Sequence, residues 1–152
     1  MSVAFRREGD DEHLEPKFEL PIPPGPNLVT ERGFALIAQR VAGLEAQLAG
    51  LAEEEAIKKV RRELRYWLTR QATAQIMPPP EGAVVAFGST VTFRLNGKAR
   101  TITLVGDDEA DPGTGLLSFT APLSRALIGA EAGDEVDFGG KDSAIEVLGV
   151  AA

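Results

Sequence analysis

Pro78-Pro79-Pro80 constrains this chain more than any other feature. Proline carries no amide proton and biases the residue before it away from helix, so no helix runs through the triplet. The hydrophobic period differs on its two sides. Before it, Phe34, Ile37, Val41, Leu44, Leu48 and Leu51 recur at alternating steps of three and four, the a/d pattern of a helical seam. Thr30 is a good N-cap with Glu31 in the first turn, and the spacing predicts a helix over 30–51. Gly50 marks a turn. A second helix is expected from about Glu53 to Ile76, with its seam at Ile57, Val60, Leu64 and Trp67 and with Leu68 widening the stripe. Two seamed helices joined by so short a turn pack antiparallel, as a hairpin.

From Ala83 onward the period is two. Candidate strands are 84–87, 90–95, 100–105, 116–119, 135–138 and 144–150. Asn96-Gly97 between two of them is a type I′ hairpin signal, and Gly139-Gly140 does similar work before the last strand. No two strands are separated by a long helix, which excludes a doubly wound sheet. The expectation is an α+β chain in three parts: a Pro-rich, partly disordered leader over 1–29, a short antiparallel coiled-coil hairpin over 30–77, and an antiparallel β domain with one short helix over 78–152. The leader holds Pro21, Pro23, Pro24 and Pro26, which favour extended chain. A competing reading has Phe18, Leu20 and Ile22 packing in alternation against the body.

Charge narrows the function. The net charge of −7 divides into −3 over residues 1–29, +2 over 30–77 and −6 over 78–152. So acidic a chain is a poor match for strong direct binding of duplex DNA, which needs Lys and Arg to replace counterions. A protein partner is expected, with nucleic acid met only indirectly. There is no cysteine, so disulfides, thiolate metal sites and Cys–His nucleophiles are excluded, and because the sole histidine, His13, lies in a polar tail, no His cluster and no Ser–His–Asp triad are expected. No apolar run approaches the roughly 18 residues of a membrane span, and the charged N-terminus lacks a signal-peptide core. A cytoplasmic protein with no cofactor and no metal is expected, and its oligomeric state stays open. The acids Asp107, Asp108, Glu109 and Asp111 lack EF-hand spacing and read first as a solvated turn. The second helix carries Lys58, Lys59, Arg61, Arg62 and Arg65, which read either as a solvated face or as a contact for an acidic surface or a nucleic acid. Tyr66 and Trp67 read as core or seam.

The stretch from Leu104 to Asp134 is unusual in order and spacing. An apolar strand end runs into the acidic turn Asp107-Asp108-Glu109-Ala110-Asp111-Pro112, then a short strand at 116–119, then Ala121-Pro122 opening a short helix to Ile128, with Gly129 and Gly133 beyond. Val105-Gly106-Asp107-Asp108-Glu109-Ala110-Asp111, the run from Ser118 to Gly129, and Gly133-Asp134-Glu135-Val136 resemble the "VGxDEAD", "S-x-x-SPLARALLG" and "GD-x-V" of the C-terminal domain of the bacterial transcript cleavage factors GreA and GreB. Thr30-Glu31-Arg32-Gly33 is similar to the "T-x-x-G" that opens the same family's hairpin. The resemblance implies an FKBP-like domain without isomerase activity, a chain that is not itself an enzyme, and RNA polymerase as partner, bound at the rim of its secondary channel. It also implies that Thr120, Ala121, Pro122, Ser124 and Arg125 lie on the docking face, with Leu123, Leu127 and Ile128 turned inward. GreB has an Asp where Thr120 stands.

The family's hairpin is long and ends in an acidic tip that helps hold a second metal at the polymerase active site. Here the helices meet after about twenty residues, an arm of roughly 30 Å, and the acids nearest the turn are Glu53, Glu54 and Glu55. Two expectations follow from the resemblance: a regulator similar in layout to Rnk that binds polymerase without stimulating cleavage, or a cleavage factor using Glu53–Glu55 as its tip. A Rnk-like regulator of nucleoside diphosphate kinase and a general interaction module are the alternatives from other classes.

Overall fold

The computed structural model describes residues 19–152, so the expected disorder over 1–18 and the packing of Phe18 lie outside the described residues, whereas the end of the expected leader is ordered, with Leu28–Val29 in a strand and Asn27 and Val29 buried. Leu20 and Ile22 are largely exposed, against the alternating-packing reading. The elements run β1 (Leu28–Val29), α1 (Glu31–Ala49), α2 (Glu54–Thr73), β2 (Gln75–Ile76), β3 (Thr90–Leu95), β4 (Lys98–Val105), a 3-10 turn (Pro112–Thr114), β5 (Leu116–Ser118), α3 (Pro122–Leu127), β6 (Glu135–Phe138) and β7 (Lys141–Ala151). The class is α+β: two helices, then a mixed β-sheet domain with one short helix. The chain forms two compact units. Among the described residues, one joins 19–24 with Ile37–Thr73, and the other joins Gly25–Leu36 with Ala74–Ala152.

In the helical unit, α1 and α2 are joined by four residues. Arg40, nine residues before the end of α1, lies over the ring of Trp67 on α2 at 5.4 Å, so the second helix doubles back along the first. The seam is where the spacing puts it: Ile37, Val41, Leu44 and Val60 are buried. Trp67 also meets Tyr66 edge-on, with ring centroids 5.0 Å apart. Leu68 does not widen the stripe; it is 41% exposed on the outer face. Glu54 and Glu55 occupy the first turn of α2, where carboxylates complement the helix dipole.

The second unit contains a five-stranded sheet of order β5-β4-β3-β7-β6. Its core joins Val91 and Phe93 of β3, Ile102 and Leu104 of β4, and Ile145 and Val147 of β7 to Leu123 and Leu127 of α3. The other face is polar, with Thr90 opposite Thr103 and Thr92 opposite Thr101 in hydroxyl contact. The hairpin β3–β4 turns at Asn96 (φ 53) and Gly97 (φ 79), as a type I′ turn requires.

The structure corrects four expectations about elements. The sheet is mixed rather than antiparallel: β5 pairs parallel to β4, because the ten residues from Gly106 to Gly115 carry the chain back to the start of a new strand instead of through a tight hairpin. Helix α2 stops at Thr73, three residues short of Ile76. Gln75 and Ile76 instead form β2, parallel to β1, with the Gln75 amide donating to Asn27 O (2.8 Å) and the Met77 amide to Val29 O (2.8 Å). The residues approaching a proline favour extended backbone, and β1 supplies the acceptors that helix would otherwise offer. No strand forms at 84–87. Val84 makes one bridge to Glu131, and Ser89 folds the next residues into a turn by accepting the Ala86 amide on its hydroxyl. Ile128 does not face inward; it is 43% exposed at the end of α3.

Candidate functional site: a braced turn at the start of a short helix

The acidic run after β4 is divided between two structural tasks. Asp107 faces forward. The hydroxyls of Ser118 and Thr120 both donate to its Oδ1, the latter at 3.0 Å, and the Thr120 amide donates to Ser118 Oγ. The Phe119 amide donates to Val105 O, and the Ala121 amide to Ser118 O. These bonds fix the turn 118–121 directly ahead of Pro122. That proline is the first residue of α3, where its missing amide costs no hydrogen bond, and Ala121 is the N-cap. The Phe119 ring packs edge-on against Phe87 at 5.3 Å.

Glu109 faces back. It is buried, and its carboxylate accepts from Thr30 Oγ1 (2.6 Å) and from the Arg32 guanidinium (2.8 Å). Thr30 Oγ1 in turn accepts the Gly33 amide at 2.9 Å, which makes it a genuine N-cap of α1. Gly33 leaves room for this contact: a Cβ at that position would lie 2.8 Å from Glu109 Oε1, and the carboxylate would have to shift. The "T-x-x-G" run and the acidic run are thus two halves of one contact. The reading of these acids as a solvated turn does not hold for Asp107 and Glu109; the sequence offered only the N-cap Thr30 with Gly33 three residues on, and nothing in it tied that run to Glu109. Among the described residues no group of three or more His, Cys, Asp or Glu is placed to hold a metal.

Of the residues singled out for docking, Thr120, Pro122 and Arg125 are exposed and Ala121 is half-buried. Ser124 is a correction. It is fully buried, with no hydrogen-bond partner for its hydroxyl among the described residues, because a helix of six residues pressed on the core buries a wide arc that includes Leu123, Ser124 and Leu127. Phe93 belongs to the core and Phe138 packs against it. Phe87 lines a cavity of about 240 Å³ with Met77 and Pro78–Pro80.

In the helical unit, Glu53, Glu54 and Glu55 are exposed around the turn, and Lys58 Nζ lies 3.5 Å from Glu54 and 3.9 Å from Glu55. Lys58, Lys59, Arg61 and Arg65 are exposed and Arg62 is half-buried. Arg65 grips Glu19 with two parallel N–H···O bonds of 2.7 Å each. Those bonds, more than the charge of Arg65 and Arg62, hold the Glu19 carboxyl below its ordinary value near 4.5. Among the described residues, no helix is long and apolar enough to cross a membrane.

A helix pair ahead of a mixed-sheet domain with a braced, proline-led turn defines a class of two-part α+β protein, and comparison with known proteins narrows the class. Residues 79–151 match the model of the transcription elongation factor GreA/GreB C-terminal domain. Transcription elongation factor GreA of Desulfovibrio desulfuricans is 34% identical over 129 residues, spanning 64% of this chain and 80% of that protein. GreA of Verminephrobacter eiseniae is 33% identical over 116 residues, spanning 70% and 73%. Among solved structures, the elongation factor GreA/GreB from Nitrosomonas europaea covers 85% of this chain and all of that one, at 24% identity and a TM-score of 0.41. The chain belongs to the GreA/GreB transcription elongation factor family.

Proposed function

We propose that this chain is a non-enzymatic regulator of transcription elongation that binds RNA polymerase near its secondary channel through Thr120, Ala121, Pro122 and Arg125. Membership of the GreA/GreB family supports polymerase as the partner. The single observation that carries the assignment of the turn is the Asp107 brace: a carboxylate collecting two hydroxyls holds the exposed backbone before Pro122 in one shape. A pre-ordered turn loses little conformational entropy on docking.

The arm sets what the bound factor does. Helices of 19 and 20 residues are about 30 Å long at 1.5 Å per residue. Assisting metal and water at a reacting phosphate demands placement to about 1 Å, and the resemblance implies a much longer arm in factors that do so. The short arm therefore makes this a binder and competitor and not a stimulator of transcript cleavage. The test is binding to core RNA polymerase with GreA as competitor, followed by transcript cleavage in stalled complexes. Binding that falls at least tenfold in Ala121→Arg with an unchanged melting temperature, together with background cleavage, is the expected result. Intact binding in that variant removes the turn from the interface. Strong cleavage that disappears in Glu53→Ala/Glu54→Ala/Glu55→Ala replaces the competitor reading with the working tip.

A further inference from the structure

The basic face of α2 is already engaged from within the chain. Glu19 and Ile22 border a groove on α2 whose other walls are Arg62, Arg65, Tyr66 and Thr69. Within it the Glu19 carboxylate takes the Arg65 fork in the bidentate geometry that carboxylate recognition uses. Yet the pair is half in water, with side-chain exposures of 52% for Arg65 and 42% for Glu19. Leu20 and Ile22, which follow the carboxylate, stay largely exposed and contribute little burial. Geometry of this kind selects a carboxylate, while the exposure keeps each contact weak, since exposed ion pairs contribute about 0–1 kcal/mol. The segment that carries Glu19 is joined to the fold through Pro21, Pro23 and Pro24, which keep it extended and limit what it loses on ordering.

We propose that Glu19–Ile22 is a releasable strap that occupies a peptide-recognition groove on α2 in cis, and that the groove's trans ligand is an extended acidic segment of a partner protein bearing a carboxylate followed by apolar residues and proline. The strap's own sequence, Glu-Leu-Pro-Ile, is the template for that ligand. Charge complementarity fixes the class: the face presents Lys58, Lys59, Arg61, Arg62 and Arg65, and the chemistry at its occupied position is a carboxylate on a short extended peptide. Tethering gives the strap an effective concentration in the millimolar range. A trans ligand therefore competes only where it offers several carboxylates or is itself held nearby. The strap makes the groove selective by default, closed to isolated acidic side chains and open to a multivalent acidic segment.

The inference does not depend on polymerase binding, and its test leaves polymerase out. The chain has no cysteine, so Leu20→Cys gives one nitroxide-labelling site on the full-length protein. Three labelled proteins are compared: the parent, Arg65→Gln, and the exchange Glu19→Arg/Arg65→Glu. In parallel, a fluorescent peptide with the sequence of residues 15–24 is titrated into unlabelled parent and into Glu19→Gln. The strap predicts a label restricted in the parent, mobile in Arg65→Gln and restricted again in the exchange. It also predicts peptide binding about twofold tighter to Glu19→Gln than to the parent, as for a strap that occupies the groove about half the time, weakening as salt rises. Equal label mobility in the parent and Arg65→Gln overturns the strap. Equal peptide affinity for the parent and Glu19→Gln, or no measurable binding to either, overturns the groove as a recognition site.

Discussion

Gly106 stands where the chain leaves β4 and passes the backbone of β1. A Cβ there would lie 2.4 Å from Leu28 O, closer than real contacts allow, and backbone cannot swing aside as a flexible side chain can. Gly106→Ala should destabilise the sheet unit by about 2–3 kcal/mol, the upper part of the range for overpacking, with β1 as the first casualty. Thermal unfolding measures the cost, and loss of slow amide exchange at Gln75 and Met77, which donate to Asn27 and Val29, locates it. A melting temperature equal to the parent's refutes the close approach. The neighbouring acids show why residue type alone was a poor guide. Asp107, Asp108, Glu109 and Asp111 read as one solvated cluster, yet Glu109 is buried under Thr30 and Arg32 while Asp107 shapes the turn at Ser118–Thr120. A carboxylate's fate depends on which donors the fold brings to it, and those donors lie 79 residues back for Thr30 and 13 residues ahead for Thr120.

At the scale of elements, the heptad seam was legible because burial on one helical face leaves a periodic trace. The buried set Ile37, Val41, Leu44 and Val60 falls on the positions that the spacing names. Leu44→Ala should therefore cost about 2–4 kcal/mol through the cavity it leaves, read as a loss of melting temperature and helical circular dichroism, whereas Leu68→Ala, on an exposed position, should change neither appreciably. Equal effects of the two would reject the seam. The hairpin turns were equally legible, since Asn96-Gly97 and Gly139-Gly140 are among the few pairs that tolerate positive φ at both positions. What escaped notice has no period to read. A two-residue strand such as β2 carries no alternation, and the direction of β5 depends on the path of the loop before it, not on its own three residues. Ser124 entered the docking set through the resemblance alone, and it lies on the arc of the short helix that packs on the core, between Leu123 and Leu127, while Pro122 and Arg125 stay exposed.

For the molecule as a whole, the pairing of β1 with β2 is the feature with the widest consequence. Leu28–Val29 and Gln75–Ile76 lie on either side of everything from Thr30 to Ala74, so the helix pair is a loop whose two ends are already stitched together in the sheet unit. Such a loop can change length with little penalty, because closure entropy grows only as about 3/2 RT ln n. Inserting one heptad into each helix should lengthen the pair by roughly 10 Å at 1.5 Å per residue, raise helical circular dichroism, and leave the melting of the sheet unit unchanged. Four residues added to α1 alone should break the seam instead, and tolerance of that insertion would argue against paired registers. The length of the helix pair is then a dial set apart from its base: the chain can spool out more or less helix between two points that the β1–β2 pairing has already fastened.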